Sequence, residues 1–243
     1  MFTDIIARIL IIVLASPIVL IAFKNSRVSH SRWLILLSGL FILDIIWFNL
    51  PVYFLKDSQF PWQPTIIAAL WDLFFIYFLS RIPADEFGLT TQFKAGTKKP
   101  FLLLTAGWSV VLFLIFYYFF DHRSLTGEGL IYNLTMPGIS EELIYHGILL
   151  TMLNRVFISK REILKAKIGW GILIVAILYA LVNAIRLKDI HDFSMTFNTT
   201  FFIFAFCSSL LFGYVKERTG NLVASMASHN LWNTIVAIAQ AIN

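Results

Sequence analysis

Apolar residues in this chain occur in stretches about as long as a bilayer is thick. A span of about 20 apolar residues crosses a hydrocarbon core of roughly 30 Å, and polar residues separate eight such spans. The predicted spans are Ile5–Phe23, Trp33–Leu55, Thr65–Ser80, Pro100–Phe120, Pro137–Phe157, Ile168–Ile185, Thr196–Tyr214 and Asn221–Ile242. The pattern predicts an all-α, polytopic membrane helix bundle of about eight transmembrane helices, forming a single membrane domain over residues 1–243.

The composition supports this interpretation. Of 243 residues, 58% are hydrophobic and 14% are charged, and the mean hydropathy is +0.78. Soluble domains carry about 45–50% apolar and about 25% charged residues, so an ordinary soluble domain and a disordered chain are both excluded. The sequence pI of about 9.4 comes without a basic stripe interleaved with aromatic residues, which excludes a nucleic-acid partner. We expect a multi-pass protein of the cell membrane, surrounded by membrane lipids.

The basic residues divide unevenly between the two sets of loops. Cytoplasmic loops are enriched in Lys and Arg, and 14 of the 19 lie in or next to the loops that follow the odd-numbered spans, against 4 in the other loops. The count predicts that both termini and the loop between the fourth and fifth spans lie outside. If the fifth span begins at Pro137, Glu141 lies about 6 Å below that outer face.

Ionisable side chains inside apolar spans are costly in lipid, so each marks a candidate functional position. The fifth span reads P-G-I-S-E-E-L-I-Y-H-G, in which Pro137 is expected to open the helix and Ser140 to cap it. Glu142 and His146 are four residues apart and share a face, while Glu141 lies about 100° further round. Two adjacent carboxylates in an apolar setting resist simultaneous ionisation, so one of them is expected to take up a proton readily, as a general base must.

Two more spans carry polar side chains that could meet this pair. The last span contains S-H-N-L-W-N, which places His229 and Asn233 on one helix face. An imidazole can exchange a proton with a reacting oxygen, and an amide can donate to an oxyanion. Asn183 lies at the end of the sixth span and can reach the same region. The alternative interpretation is a structural polar cluster between helices.

Asp44 and Asp72 are isolated carboxylates in the second and third spans. We expect each to make an interhelical hydrogen bond or ion pair. A less favoured alternative is a proton-coupled transporter that uses them together with Glu141, although the chain lacks the internal repeat typical of transporters.

A metal site is a weak alternative. Glu142, His146 and His229 could supply three zinc ligands, with water as the fourth. No His-x-x-x-His pair accompanies them in the sequence. We therefore expect neither a metal nor another cofactor.

The three polar segments, in this order, resemble the CPBP family of intramembrane proteases (CAAX protease and bacteriocin-processing, or Abi). The family pattern is Glu-Glu-x-x-x-Arg, then Phe-x-x-x-His, then His-x-x-x-Asn. Here His146 stands for the Arg, Tyr179 and Asn183 stand for the Phe and His, and the third motif matches fully. The E-F-G-L stretch at Glu86–Leu89 is also similar to the family, so the CPBP-like catalytic core is expected over residues 86–240.

The resemblance implies that Glu141 activates a water, that Glu142 lies beside it, and that His229 and Asn233 hold the oxyanion. The chain departs from the family pattern at Asn183, which cannot accept a proton. It also departs at His146, whose shorter side chain would weaken an ion pair with Glu142. Two functions therefore stay open. One is an intramembrane endopeptidase similar to CAAX prenyl protease 2, acting on a peptide or lipidated protein substrate; the other is a degenerate bacteriocin-immunity or peptide-binding membrane protein.

Overall fold

The computed structural model describes residues 2–53, 60–189 and 194–243. In the first half of the chain, α1 is Phe2–Asn25, α2 is Trp33–Asn49, α3 is Trp62–Phe74 and α4 is Lys98–Phe119. A 3₁₀ turn, Leu50–Tyr53, follows α2, and a π-helical turn, Phe75–Leu79, extends α3. The predicted end of the second span at Leu55 lies outside the described residues.

The second half contains the remaining helices and two β-hairpins. The helices are α5 (Gly127–Glu142), α6 (Leu150–Val156), α7 (Trp170–Ala184), α8 (Thr199–Thr219) and α9 (Leu222–Ile242). A π-helical segment, Leu143–Leu149, joins α5 to α6, so the described helices form eight rods. The antiparallel hairpins pair β1 (Lys160–Ile163) with β2 (Ala166–Gly169), and β3 (Ile185–Asp189) with β4 (Ser194–Phe197). Hydropathy did not predict these hairpins.

The fold class is an all-α helical membrane bundle, as predicted. Within the part of the chain that the structure describes, four helices are long and apolar enough to cross a bilayer: Phe2–Asn25, Trp62–Leu79, Lys98–Phe119 and Thr199–Thr219. Trp33–Asn49 and Trp170–Ala184 are apolar but shorter. Large apolar side chains are exposed along α1 and α4, as expected for surfaces that face lipid.

The expected start of the fifth helix is wrong. The helix begins ten residues earlier, at Gly127, where the Thr126 hydroxyl oxygen accepts a hydrogen bond from the Gly129 N–H. Pro137 therefore lies inside α5 and Ser140 is not a cap. Glu141 is 14 residues from the start of the helix, about 21 Å along its axis, rather than near one face.

Asn230 of α9 explains how α5 accommodates an internal proline. Its Oδ1 accepts a hydrogen bond from the Gly138 N–H at 2.7 Å, and its amide donates to the Thr135 carbonyl at 2.8 Å. Proline interrupts helix hydrogen bonding, but a neighbouring membrane helix can satisfy the backbone groups that are freed. These two bonds to α9 therefore support the α5 backbone on both sides of Pro137.

The rod formed by α5, the π-helical segment and α6 lies at the centre of the bundle. It contacts α9 and α3 along α5 and α7 further on, while α7 also packs on α8 and α1. Every side chain of Leu143–Leu149 is buried. The polar groups of this π-helical segment consequently face other helices rather than lipid.

The E-F-G-L stretch connects the ends of two helices. The Gly88 carbonyl accepts a hydrogen bond from the Leu222 N–H at 2.8 Å, and Glu86 pairs with Arg155 of α6. Gly88 has φ +85°, and a Cβ there would lie 2.9 Å from the Leu222 nitrogen. This stretch thus holds the start of α9 against α6.

Candidate active site

The two adjacent glutamates at the end of α5 face different surroundings. The Glu141 side chain is 39% exposed, whereas that of Glu142 is 1% exposed. Consecutive helical residues point about 100° apart, so one carboxylate reaches an open cavity and the other enters the bundle. The cavity has a volume of about 350 Å³, and Glu141 is part of its wall.

The Glu142 carboxylate is enclosed by three polar side chains, two from α9 and one from its own rod. Its Oε1 lies 2.9 Å from Nδ1 of His229, and its Oε2 accepts a hydrogen bond from the Ser225 hydroxyl at 2.6 Å. The same Oε2 lies 2.9 Å from Nδ1 of His146. Sequence reasoning missed Ser225, since a serine one turn before a histidine carries no distinctive signal.

The His229 ring is fixed from two sides. Its Nδ1 is bonded to Glu142, and its face stacks on Phe212 with ring centroids 4.5 Å apart. A neutral imidazole that donates through Nδ1 has its lone pair on Nε2. That Nε2 lies 3.8 Å from Oε2 of Glu141, so His229 lies between the two carboxylates.

Tyr179 of α7 contacts the exposed glutamate. Its hydroxyl donates to Oε2 of Glu141 at 2.7 Å. One turn later the Asn183 amide donates to the Tyr179 carbonyl at 2.9 Å, within its own helix. No role was predicted for Tyr179 from the sequence, because the family motif has a phenylalanine at this position. A phenylalanine has no hydroxyl and could not make this bond.

A second, smaller cavity of about 170 Å³ lies against the other side of Tyr179 and Asn183. His229 and Asn233 contribute to its wall, but Glu141 does not. Asn233 is absent from the wall of the first cavity. The bundle thus brings Glu141, Glu142, Asn183 and His229 together, with Asn233 on the far side of the Tyr179–Asn183 pair.

His146 contacts Glu142 despite being shorter than arginine. Its Nε2 lies 3.0 Å from the backbone carbonyl of Ser209, and its Nδ1 lies 2.9 Å from Glu142, although the latter contact lacks the angle of a full hydrogen bond. The same Nε2 also lies 3.1 Å from the Ser209 hydroxyl. The shorter side chain therefore still reaches Glu142.

The donor arrangement does not fit the zinc alternative. His146 and His229 each direct Nδ1 at a different oxygen of Glu142, and Nε2 of His146 is directed at Ser209. The three side chains therefore contact one another rather than a common centre. Within residues 2–53, 60–189 and 194–243, no group of three or more His, Cys, Asp or Glu is placed to hold a metal ion.

The isolated aspartates differ from one another. Asp44 pairs with Arg8 at 3.6 Å, as expected, and Arg8 also donates to the Tyr145 hydroxyl at 2.8 Å. Arg8 and Asp44 both line the cavity of Glu141. The buried Asp72 carboxylate has no hydrogen-bond partner among the described residues, so its expected interhelical bond is not found.

Comparison with known proteins gives one match, to a family model. Residues 124–235 match the family model described as Type II CAAX prenyl endopeptidase Rce1-like. No curated protein and no solved structure matches the chain. The matched residues contain all three polar motifs and begin after the E-F-G-L stretch at Glu86–Leu89. Over residues 124–235, just under half of its length, the chain is therefore similar to the Rce1-like type II CAAX prenyl endopeptidases, in agreement with the resemblance to the CPBP family that the motifs indicated.

Proposed function

We propose that the protein is a multi-pass intramembrane endopeptidase of the cell membrane, which cleaves a peptide bond in a lipidated or membrane-bound peptide. One observation carries the proposal: Oε2 of Glu141 faces an open cavity with the Tyr179 hydroxyl at 2.7 Å and Nε2 of His229 at 3.8 Å. A carboxylate, a hydroxyl and an imidazole around one accessible point are the groups that general-base hydrolysis needs.

In the proposed reaction, a water lies between Glu141 and His229. The 3.8 Å separation is too long for a direct hydrogen bond but suits one shared water. Glu141 accepts the proton as the water oxygen attacks the peptide carbonyl carbon, and then transfers it to the departing amine. The Tyr179 hydroxyl keeps the carboxylate oriented.

The oxyanion would be stabilised by His229 and Asn233. Glu142 accepts from Nδ1 of His229 and fixes the ring, and in its protonated form the ring can donate its Nε2–H to the oxyanion. Asn233 lies on the same helix face, in the wall of the second cavity. The carbonyl oxygen of the bound peptide would therefore point from the first cavity towards the second. The reaction would use no metal, because carboxylate and imidazole supply all the proton transfers.

A second candidate is a peptide-binding or immunity protein that does not cleave. The observation favouring it is that Asn183 replaces a histidine and uses its amide within its own helix. Glu141 then lacks a second proton acceptor from the second motif. No observation specifically favours a transporter, since Asp44 is already paired with Arg8.

The experiment is cleavage of a quenched fluorescent, lipidated peptide by purified protein in detergent. Glu141→Gln should lower kcat by about 10²- to 10⁴-fold, because it removes the base with almost no change in volume. Glu162→Gln, on the exposed strand β1, is the matched control and should retain full activity. A fully active Glu141→Gln protein would contradict the mechanism. A wild-type protein that binds the peptide and leaves it intact would support the non-cleaving alternative, and loss of activity with a chelator would support zinc.

A further inference from the structure

A separate polar cavity lies where α6 and α8 end. It has a volume of about 340 Å³, within the range of about 300–1,000 Å³ that is typical of ligand sites. Among the residues that the structure describes, its wall contains four cations: Lys94, Arg155, Lys160 and Lys216. None of its described wall residues lines the cavity of Glu141, and Arg155 lies about 21 Å further along the central rod. We call this space the lysine cavity.

Three lysine side chains of the lysine cavity converge on Glu217, in the last turn of α8. Nζ of Lys216 and Nζ of Lys160 each lie 3.5 Å from its carboxylate, on different oxygens. Nζ of Lys94 donates to its backbone carbonyl at 3.0 Å. Lys94 and Lys160 both repel the Lys216 ammonium. Three positive charges therefore share one carboxylate and the end of the α8 dipole, which supplies only about half a negative charge.

The remaining charges of the wall do not cancel this excess. Glu86 is paired with Arg155, so these two side chains neutralise each other. Asp85 is exposed and makes no ion pair with any residue that the structure describes. Even with Asp85 counted, four cations face three carboxylates in the described wall.

Lys216 is buried, which makes an incompletely neutralised charge on it costly. Its ammonium donates to the Thr151 hydroxyl at 2.9 Å and lies 3.5 Å from the Glu217 carboxylate. These are its two acceptors among the described residues, whereas an ammonium has three N–H donors. One donor of a buried cation is therefore left for a ligand.

The lysine cavity lies where two membrane-crossing helices end. α8 ends at Thr219, three residues after Lys216, and α4 begins at Lys98, four residues after Lys94. Both helices are long and apolar enough to span a bilayer. The phosphate-bearing headgroups of a bilayer lie just outside its hydrocarbon core, so the cavity is level with them.

The β1–β2 hairpin, which carries Lys160, extends an apolar tip along α8. The Tyr214 hydroxyl donates to the Leu164 carbonyl at 3.0 Å, and Tyr214 precedes Lys216 in the helix. The tip is therefore held at least as deep as the cavity. The Leu164 side chain is nevertheless 78% exposed, and an exposed apolar side chain at this depth suits an acyl chain better than water. A lipid fits the charged cavity and the apolar tip together, which a free anion does not.

We propose that the lysine cavity binds the phosphate group of an anionic lipid headgroup through Lys94, Lys160 and Lys216. A phosphate brings negative charge and several acceptor oxygens, which stabilise ammonium groups that otherwise repel one another. The Lys and Arg count predicts that this end of the bundle faces the cytoplasm, whose leaflet carries anionic lipids. The site is independent of Glu141 and of any cleavage.

Lipid binding can be measured on the purified chain in a neutral detergent. Phosphatidylglycerol and phosphatidylcholine, each with pyrene on one acyl chain, are titrated by energy transfer from the tryptophans. Phosphatidylglycerol should bind about tenfold or more tightly, because the lysines repel the choline cation. Combining Lys94→Gln with Lys160→Gln should remove this preference. The matched control combines Lys98→Gln with Lys99→Gln, two exposed lysines at the start of α4 outside the cavity wall, and should retain it.

Glu217→Gln separates a ligand role of the lysines from a structural one. Glutamine keeps the shape of the side chain and can still accept from the Asn154 amide, but it removes the charge that competes with the headgroup. Phosphatidylglycerol should bind this variant about threefold or more tightly than the wild type. If the lysines serve only to neutralise Glu217, binding stays the same or weakens, and the proposal is wrong.

Three other results would overturn the proposal. The two lipids bind equally well, the preference for phosphatidylglycerol persists without Lys94 and Lys160, or the Lys98 and Lys99 control loses as much of it. If the paired cavity variant does not fold, Lys160→Gln alone, on an exposed strand, should still lose part of the preference. Inorganic phosphate, compared with chloride at equal ionic strength, should displace little of the bound lipid. Complete displacement by phosphate but not by chloride would identify free phosphate as the ligand and overturn the lipid assignment.

Discussion

Nε2 of His229 lies 3.8 Å from Oε2 of Glu141, while Nδ1 of the same ring lies 2.9 Å from Oε1 of Glu142. One imidazole therefore connects an accessible carboxylate to an enclosed one. The enclosed glutamate fixes the orientation of the ring, and the accessible glutamate faces the cavity. This division of roles between adjacent residues underlies the predictions below.

Tyr179→Phe should lower kcat about 10- to 100-fold and leave KM nearly unchanged. The substitution removes the 2.7 Å hydrogen bond that orients Glu141, and bonds to charged groups contribute about 1.5–3 kcal/mol. Steady-state kinetics on the quenched peptide measure both constants. Tyr214→Phe removes a hydroxyl bond to the Leu164 carbonyl instead and should keep its kcat. Equal activity of the two variants would contradict an orienting role for Tyr179.

Asn183→His should raise kcat. A histidine there restores a proton acceptor one turn from Tyr179, in the wall that the two cavities share. Asn183→Leu, of similar size but without polar atoms, is the control and should show no rise. If only Asn183→His cleaves the peptide, the natural protein is a binding protein. If Asn183→His is less active than the wild type, a second acceptor at this position plays no part.

His146→Leu should lower the free energy of unfolding by about 3–5 kcal/mol, because it leaves the buried Glu142 carboxylate without one of its two imidazole neighbours. Chemical denaturation in detergent, or the shift in Tm, measures the loss. Adding Glu142→Gln should lower the free energy of unfolding less in the His146→Leu protein than in the wild type, since the two residues interact. His122→Leu, in an exposed loop, should have little effect. Additive losses would show that His146 and Glu142 do not interact.

Gly138→Ala should destabilise the protein by about 1–3 kcal/mol through overpacking. An added Cβ would lie 2.6 Å from Oδ1 of Asn230 and 2.7 Å from the Met226 carbonyl oxygen, which would displace the bond that supports α5 after Pro137. Gly107→Ala in α4 meets nothing within 4 Å and should be neutral or slightly stabilising. Thermal unfolding of the two variants side by side tests this, and an unchanged Tm for Gly138→Ala would contradict the close approach of α9.

A cysteine at Ser124 should react with a membrane-impermeant maleimide in intact cells. The prediction follows from the Lys and Arg count, which places the loop before α5 outside. Cys207 is the only cysteine of the chain, so Cys207→Ala provides a clean background. Arg161→Cys, on the β1–β2 hairpin that precedes α7, should react only after permeabilisation. The reverse pattern would place the loop before α5 in the cytoplasm.

The sequence by itself determined the helices, their membrane character and the polar faces that they carry. In lipid, the backbone N–H and C=O groups of a long apolar span must bond to one another, and a helix satisfies all of them within one segment. The spacing of Glu142 with His146, and of His229 with Asn233, predicted shared faces because helical periodicity is a local property. The order of the three motifs then indicated a resemblance to the protease family whose model matches residues 124–235.

Only the tertiary structure decided which glutamate is accessible, where α5 begins and what surrounds the site. Periodicity predicts the angle between Glu141 and Glu142, but exposure depends on which helices pack against each face. Pro137 predicted a helix start, but α5 continues through this residue. Asn230, 93 residues later in the chain, bonds to the α5 backbone on either side of it. The contacts of Tyr179 with Glu141 and of Arg8 with Asp44 join helices far apart in sequence. Such pairings depend on how the helices pack in three dimensions, so local patterns in a single sequence do not predict them.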